Sequence, residues 1–414
     1  MILFFLTSGL FLGWSLGAND ASNVFGSAVG SRMVSFRKAA IVASIFVIIG
    51  AVVQGGGAAQ TLGKLGAVNA IGGSFTAALV AAITIYVMTK FALPVSTSQA
   101  IVGAIIGWNF FTGNHTDVKT LSQIVTTWIA GPIIGAVFAI LLFILFRRFK
   151  RSSQIHLIRF ESYIKTGLIV VGAFGAYSLG ANNIANVMGV FVPAFYLQEI
   201  NLGLFTLSSS QQLFLLGGLA IASGILTYSK RVMETVGSNI VELSSEAALV
   251  VVLAQSLVLF IFSSSGLSSL FTSIGLPPIP MVPVSSSQVI IGCIIGIGLY
   301  KGARNINFKL LGEIAAGWIA TPVISGILTF FSLFLMKNIF NLNVGQKVNA
   351  TSSGKLQDIV SAGTSSNMSD IIKYLLLGLL VAGTLTIIVF YFLERKKKLE
   401  IQKSEEKFWK NLKY

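Results

Sequence analysis

Apolar residues in this chain come in long runs, separated by short polar stretches rather than alternating with them. Most runs are about 20 residues long, enough for a helix to cross the roughly 30 Å hydrocarbon core of a bilayer. Uninterrupted crossings are predicted over residues 2–29, 39–58, 121–146, 163–192, 210–228, 311–336 and 371–393. Two further pairs of apolar arms, 71–92 with 98–111 and 244–262 with 284–300, are each broken by a proline and a run of hydroxyl side chains. Proline removes a helical hydrogen bond, and the hydroxyls after it suit a helix N-cap. Each pair therefore predicts a re-entrant hairpin with a half-helix starting at its tip. The expected fold is an all-α polytopic membrane protein of about ten transmembrane helices and two re-entrant helical hairpins.

Composition agrees with this pattern. Hydrophobic residues make up 54% of the 414, charged residues 10%, and mean hydropathy is +0.83. That excludes a soluble enzyme and a disordered chain. The single cysteine, Cys293, lies in an apolar run and excludes a disulfide framework.

The net charge of +15 would suit nucleic acid, but its distribution points to membrane topology. Basic residues gather at Arg32, Arg37 and Lys38, from Arg147 to Lys165, at Lys230 and Arg231, from Lys301 to Lys309, and in the tail after Arg395. Cytoplasmic loops are enriched in Lys and Arg. Threading the spans on that rule places the N-terminus outside and the C-terminus in the cytoplasm of a multi-pass plasma-membrane protein. No soluble basic face is long enough for nucleic acid. The first apolar run lacks a basic flank, so no cleavable signal is predicted.

The two halves share sequence. Ser15-Leu16-Gly17-Ala18-Asn19-Asp20-Ala21-Ser22-Asn23 reappears as Ser178-Leu179-Gly180-Ala181-Asn182-Asn183-Ile184-Ala185-Asn186. Pro94-Val95-Ser96-Thr97-Ser98-Gln99 reappears as Pro283-Val284-Ser285-Ser286-Ser287-Gln288, with Gly103 and Gly107 matched by Gly292 and Gly296. Trp128-Ile129-Ala130-Gly131-Pro132 reappears as Trp318-Ile319-Ala320-Thr321-Pro322. The charge map gives the copies opposite orientations, an inverted-topology repeat of the kind found in secondary transporters. The expected organisation is a first transport repeat at 1–150, an inverted second repeat at 151–336, an external polar loop at 337–370, a final helix at 371–393 and a basic cytoplasmic tail at 394–414.

The repeated residues are the polar ones, and polar side chains inside apolar spans mark functional sites. Asn19 and Asn23 share a helix face, as do Asn182 and Asn186, and Gly17 and Gly180 before them could permit a local unwinding. Carboxylate, amide and hydroxyl oxygens suit a hard cation, so Asn19, Asp20, Asn23, Asn182, Asn183, Asn186, Thr97 and Ser286 are expected Na+ ligands. The hairpin tips present helix N-termini and hydroxyls to an anion. Asn23, Ser96, Thr97, Ser98, Gln99, Asn186, Ser285, Ser286, Ser287 and Gln288 are the expected anion ligands. Glu242 and Glu246, one helical turn apart near the start of a span, are candidate further ion ligands.

The doubled signature Gly17-Ala18-Asn19-Asp20 and Gly180-Ala181-Asn182-Asn183, with its two Pro-Val-Ser segments, resembles the inorganic phosphate transporter (PiT) family over nearly the whole span from Ser15 to about Pro322. The resemblance implies cation-coupled phosphate symport by alternating access, no catalysis and no cofactor, with phosphate, Na+ or H+, and the bilayer as partners. Oligomeric state stays open, with a homodimer as one option. Asn183 replaces the family's second Asp, and Gln99 and Gln288 replace its His. Both changes remove titratable groups, which favours Na+ over H+. The alternatives are a proton-coupled phosphate or sulfate permease of the same fold, and an anion channel.

Overall fold

The structure, a computed structural model, describes residues 2–66, 68–90, 95–152, 156–201, 206–230, 232–233, 244–302 and 308–345. Pro94, Glu242 and the expected final span at 371–393 lie outside the described residues. The described residues form twelve helices: α1 (Ile2–Gly30), α2 (Phe36–Gln54), α3 (Gly56–Leu65), α4 (Ile71–Lys90), α5 (Thr97–Thr112), α6 (Val118–Ser152), α7 (Leu157–Met188), α8 (Ser209–Thr227), α9 (Ser245–Ser263), α10 (Ser265–Ser273), α11 (Ser286–Tyr300) and α12 (Phe308–Asn338). A two-residue antiparallel pair, β1 (Ile200–Asn201) with β2 (Thr206–Leu207), precedes α8. Seven helices, α2, α4, α6, α7, α8, α9 and α12, are long and apolar enough to cross a membrane. At 16 and 15 residues, α5 and α11 are only about 24 and 22 Å long, short of a full crossing.

The helix starts at the two tips are capped as the sequence predicts. Ser96 and Ser285 each accept the amide of the residue three positions on, Gln99 and Gln288, at 3.3 Å. Ser208 and Gln211 form a reciprocal capping box at α8, and Ser244 caps α9.

Packing repeats between the halves as closely as the sequence does. A Cβ at Gly17 of α1 would overlap the carbonyl of Ile221 in α8, and one at Gly224 of α8 the carbonyl of Trp14. The same reciprocal contact joins Gly180 of α7 to Val47 of α2, and Gly50 of α2 to Tyr177. Likewise Gly103 and Gly107 of α5 lie against the backbone of Pro322 and Gly326 in α12, while Gly292 and Gly296 of α11 lie against Pro132 and Ala136 in α6. The repeated glycines and the repeated Trp-Ile-Ala-x-Pro motif are thus two sides of one crossing. Small residues that let backbones touch drive association where lipid removes the hydrophobic driving force. Each of these crossings joins an element of one half to an element of the other.

Two local expectations change. Gly17 and Gly180 do not unwind their helices, since α1 and α7 run unbroken through both; their missing Cβ serves close approach instead. The run at 39–58 is not one helix, because α2 stops at Gln54 and α3 restarts at Gly56. Three consecutive glycines there weaken helix continuation. Between the arms of the second pair, the uncharged stretch from Ser263 carries a short helix, α10, capped by Ser264.

Candidate functional site

The signature on α1 and the tip before α11 come together although more than 260 residues separate them in sequence. Ser286 donates its hydroxyl to Asp20 Oδ2 at 2.9 Å. Asn23 Nδ2 donates to Ser286 Oγ at 3.3 Å, and Asn19 Nδ2 donates to Asp20 Oδ1 at 3.2 Å. A similar contact, one residue further along the tip, joins the signature on α7 to the start of α5, where Asn186 Nδ2 donates to Ser98 Oγ at 2.9 Å. Asn186 also donates to Asn183 Oδ1 at 2.9 Å.

The tips meet each other directly. Ser98 donates to the Val284 carbonyl and Ser287 to the Val95 carbonyl, each at 3.3 Å. This pair of bonds is symmetric residue for residue in the repeat. Asn182 holds the second tip from the side, accepting the Val284 amide at 3.0 Å and donating to the Val282 carbonyl at 3.2 Å. Non-helical backbone can stand inside a bundle only when its polar groups are met in this way. Of the fifteen expected site residues that the structure describes, fourteen, all but Glu246, are therefore one cluster, and all fourteen are buried.

The cluster is not internally satisfied. Thr97 Oγ1, Gln99 Oε1, Gln288 Oε1, Asn183 Nδ2 and Asn186 Oδ1 are buried with no hydrogen-bond partner. Buried polar groups are nearly always paired, and leaving one unpaired costs about 1–3 kcal/mol. The first-turn amides of α5 and α11 have no helical acceptor either, beyond those their Ser caps take. Donors and acceptors stand ready side by side, which suits an anion bound beside a cation.

Among the described residues Asp20 is the one carboxylate in the cluster and no Lys or Arg pairs with it; the ion pair found there joins Lys150 to Glu246. Glu246, at the start of α9, is thus engaged by Lys150 from the end of α6, apart from the tips. His115 and His156 are exposed and stand outside the cluster.

Two features were not singled out in the sequence as chemistry. Gln255, buried in the middle of α9, has both side-chain polar atoms unpartnered; a lone glutamine inside an apolar run was the available signal. Trp128 and Trp318, the first residues of the repeated motif, both bury an unpartnered indole N–H.

Removing either tip cap tests the local construction. Ser285→Ala and Ser96→Ala should each destabilise the protein by about 1 kcal/mol, read as matched falls in the thermal midpoint in detergent. A fall in only one would show that the tips are not built alike.

Comparison with known proteins fits this geometry. The chain is 29% identical to a protein of Methanocaldococcus jannaschii named "Putative phosphate permease", covering 78% of this chain and 94% of that one. It is 27% identical to a Pyrococcus horikoshii protein of the same name, covering 79% and 95%. A solved structure titled "The sodium-dependent phosphate transporter" superposes with a TM-score of 0.67 at 22% identity, over 82% of this chain and 99% of that one, which shows a shared fold. The phosphate transporter family matches residues 16–329 and, in a second segment, 279–412. The chain is a multi-pass membrane protein and belongs to the phosphate transporter family, a family of transporters and not of enzymes.

Proposed function

We propose that the chain is an Na+-coupled phosphate symporter of the plasma membrane, with its N-terminus outside and its C-terminus in the cytoplasm, working by alternating access. The observation that carries this reading is Asp20: a buried carboxylate without a basic partner among the described residues, bonded to the tip of the opposite half. An anion brought beside it would add negative charge to a low-dielectric site, which is prohibitive without compensation. A cation at the Asn19, Asp20 and Asn23 turn removes that penalty, so anion and cation bind best together. Coupling follows from that mutual dependence.

Phosphate goes to the tips, Ser96 to Gln99 and Ser285 to Gln288, with Asn23 and Asn186. Na+ goes to the Asp and Asn turns, Asn19, Asp20, Asn23, Asn182, Asn183 and Asn186, with Thr97 and Ser286. The unpartnered acceptors Gln99 Oε1, Gln288 Oε1 and Asn186 Oδ1 favour phosphate over sulfate, because near neutral pH phosphate keeps a P–OH to donate and sulfate has none. The repeats at 1–150 and 151–336, read as inverted, would exchange the side on which the tips open. The tips and their half-helices are the re-entrant parts of this scheme. A name given to a structural relative, a sodium-dependent phosphate transporter, agrees with the cation.

Binding of labelled phosphate to the purified protein tests the reading. Retention should rise with Na+ at fixed pH and ionic strength, fall to background in K+, and be displaced by unlabelled phosphate but not by sulfate. Equal retention in Na+ and K+ would remove the cation assignment. Displacement by sulfate at equal concentration would remove the role given to the glutamines.

A further inference from the structure

Away from the tips, a cavity of about 510 Å³ opens between the turn joining α1 to α2, the stretch of α7 around Lys165 and Ile169, and Lys230 just after α8. Four cationic side chains, Arg32, Lys38, Lys165 and Lys230, line it, and apolar Val29 and Ile169 form part of its wall. The cations come from three places in the chain, the α1–α2 segment, α7 and the residues after α8. None has an acidic partner among the described residues, where the ion pair present is Lys150 with Glu246.

Arg32 is held there by backbone geometry. It takes a left-handed φ of 60°, unusual for a residue with a Cβ. The turn is fixed by hydrogen bonds from the Arg32 amide to the Val29 carbonyl and from the Val34 amide to the Ala28 carbonyl, both 3.0 Å. The left-handed residue follows the end of α1, a place more often taken by glycine, and it turns the Arg32 side chain to the cavity wall. The four side chains are exposed, and like charges gathered around one cavity raise the local concentration of anions there. The apolar wall adds a second requirement, a ligand with a non-polar part. Basic pockets between helices on the basic side of a membrane protein bind phospholipid headgroups.

We propose that this cavity is a second phosphate-group site, separate from the tips, and that it takes the headgroup of an anionic phospholipid. Val29 lies six residues beyond Asn23 on the same helix, roughly 9 Å further along its axis. The occupant therefore sits beside the transport cluster and does not share its ligands. It bridges α1 and α2 of one half to α7 and the segment after α8 of the other, so it braces the two halves at their basic end. The inference does not depend on which cation is coupled.

The test is lipid binding by the full chain in detergent, titrated with short-chain phosphatidylglycerol, phosphatidylcholine or inorganic phosphate at equal ionic strength, and read by thermal stabilisation. Phosphatidylglycerol should stabilise saturably and phosphatidylcholine should not. The double variant K165Q/K230Q should need at least tenfold more phosphatidylglycerol. A control with the same loss of charge elsewhere, K64Q/K119Q, should match the unaltered protein. R32Q alone, an exposed side chain outside any helix, should weaken binding in the same direction and covers the case in which the double variant folds poorly. Equal weakening in the K64Q/K119Q control would reduce the effect to general surface charge and overturn the site. Saturable stabilisation by inorganic phosphate in an Asp20→Asn background, lost in K165Q/K230Q, with none from phosphatidylglycerol, would overturn the lipid as its source.

Discussion

Asp20→Asn should abolish Na+-driven phosphate accumulation, with a fall of at least about 100-fold in initial uptake. Breaking a buried charge pair costs about 3–5 kcal/mol, and each 1.4 kcal/mol is a factor of ten. The substitution keeps the shape of the side chain and its ability to accept from the Ser286 hydroxyl, so the loss would come from charge and not from packing. The molecule contains its own control for folding, because Asn183 fills the matching place in the second half, buried and bonded to Asn186. The measurement is uptake into proteoliposomes under an inward Na+ gradient, with thermal unfolding in detergent to confirm an intact fold. An Asp20→Asn protein that still concentrates phosphate in an Na+-dependent way would move the cation elsewhere in the cluster.

The second large effect is on stability. Gly17→Ala places a methyl on the carbonyl oxygen of Ile221, and Gly180→Ala places one on that of Val47. The obstacle in each case is backbone, so neither helix can yield by turning a side chain. Overpacking typically costs about 1–3 kcal/mol, and these positions should fall at or above its upper end. Each substitution should lower the thermal midpoint clearly, and by a similar amount, since the two crossings are copies. Gly63→Ala is the contrast. A Cβ there meets nothing within 4 Å, and alanine in a helix is favoured over glycine by roughly 0.5–1 kcal/mol, so the midpoint should hold or rise. Similar losses at Gly17 and Gly63 would mean that the close crossing is not what the glycine serves.

These two predictions rest on features that were legible to different degrees. The polar residues of the cluster stood out because Asn, Asp and Ser inside apolar runs are costly and therefore conspicuous, and because they recurred in the same order in both halves. Ser96 and Ser285 were readable as caps because capping is local, set within three residues. The use made of Gly17 was not readable. A glycine before a polar turn can unwind a helix or admit a neighbour, and only the partner helix decides between them. The break at Gly55 lay within a run whose hydropathy continues across it, so an apolar pattern alone extended the helix. The partner of each signature was hidden for a similar reason. Asp20 binds the tip of the other half, a pairing set by how the helices cross and not by spacing along the chain. Glu246 carried no mark of its engagement with Lys150, a residue nearly a hundred positions away.

The interleaving of the halves bears on how such a molecule could move. The glycine crossings tie α1 to α8, α2 to α7, α5 to α12 and α6 to α11, so neither half can shift as an isolated block. What lies between these crossings is the pair of tips, held together by the two 3.3 Å bonds from Ser98 and Ser287. Those bonds are few, and their partners are backbone carbonyls that water could replace.

The most direct measurement of the central claim, that Na+ and phosphate share one buried cluster and cross together, is labelled phosphate uptake into proteoliposomes. The gradients compared are inward Na+, inward K+ at the same pH, and a proton gradient alone. Concentrative uptake with Na+ only, competed by unlabelled phosphate and not by sulfate, is the expected result. Concentrative uptake driven by the proton gradient without Na+, or phosphate flux that ignores every cation gradient, would contradict it.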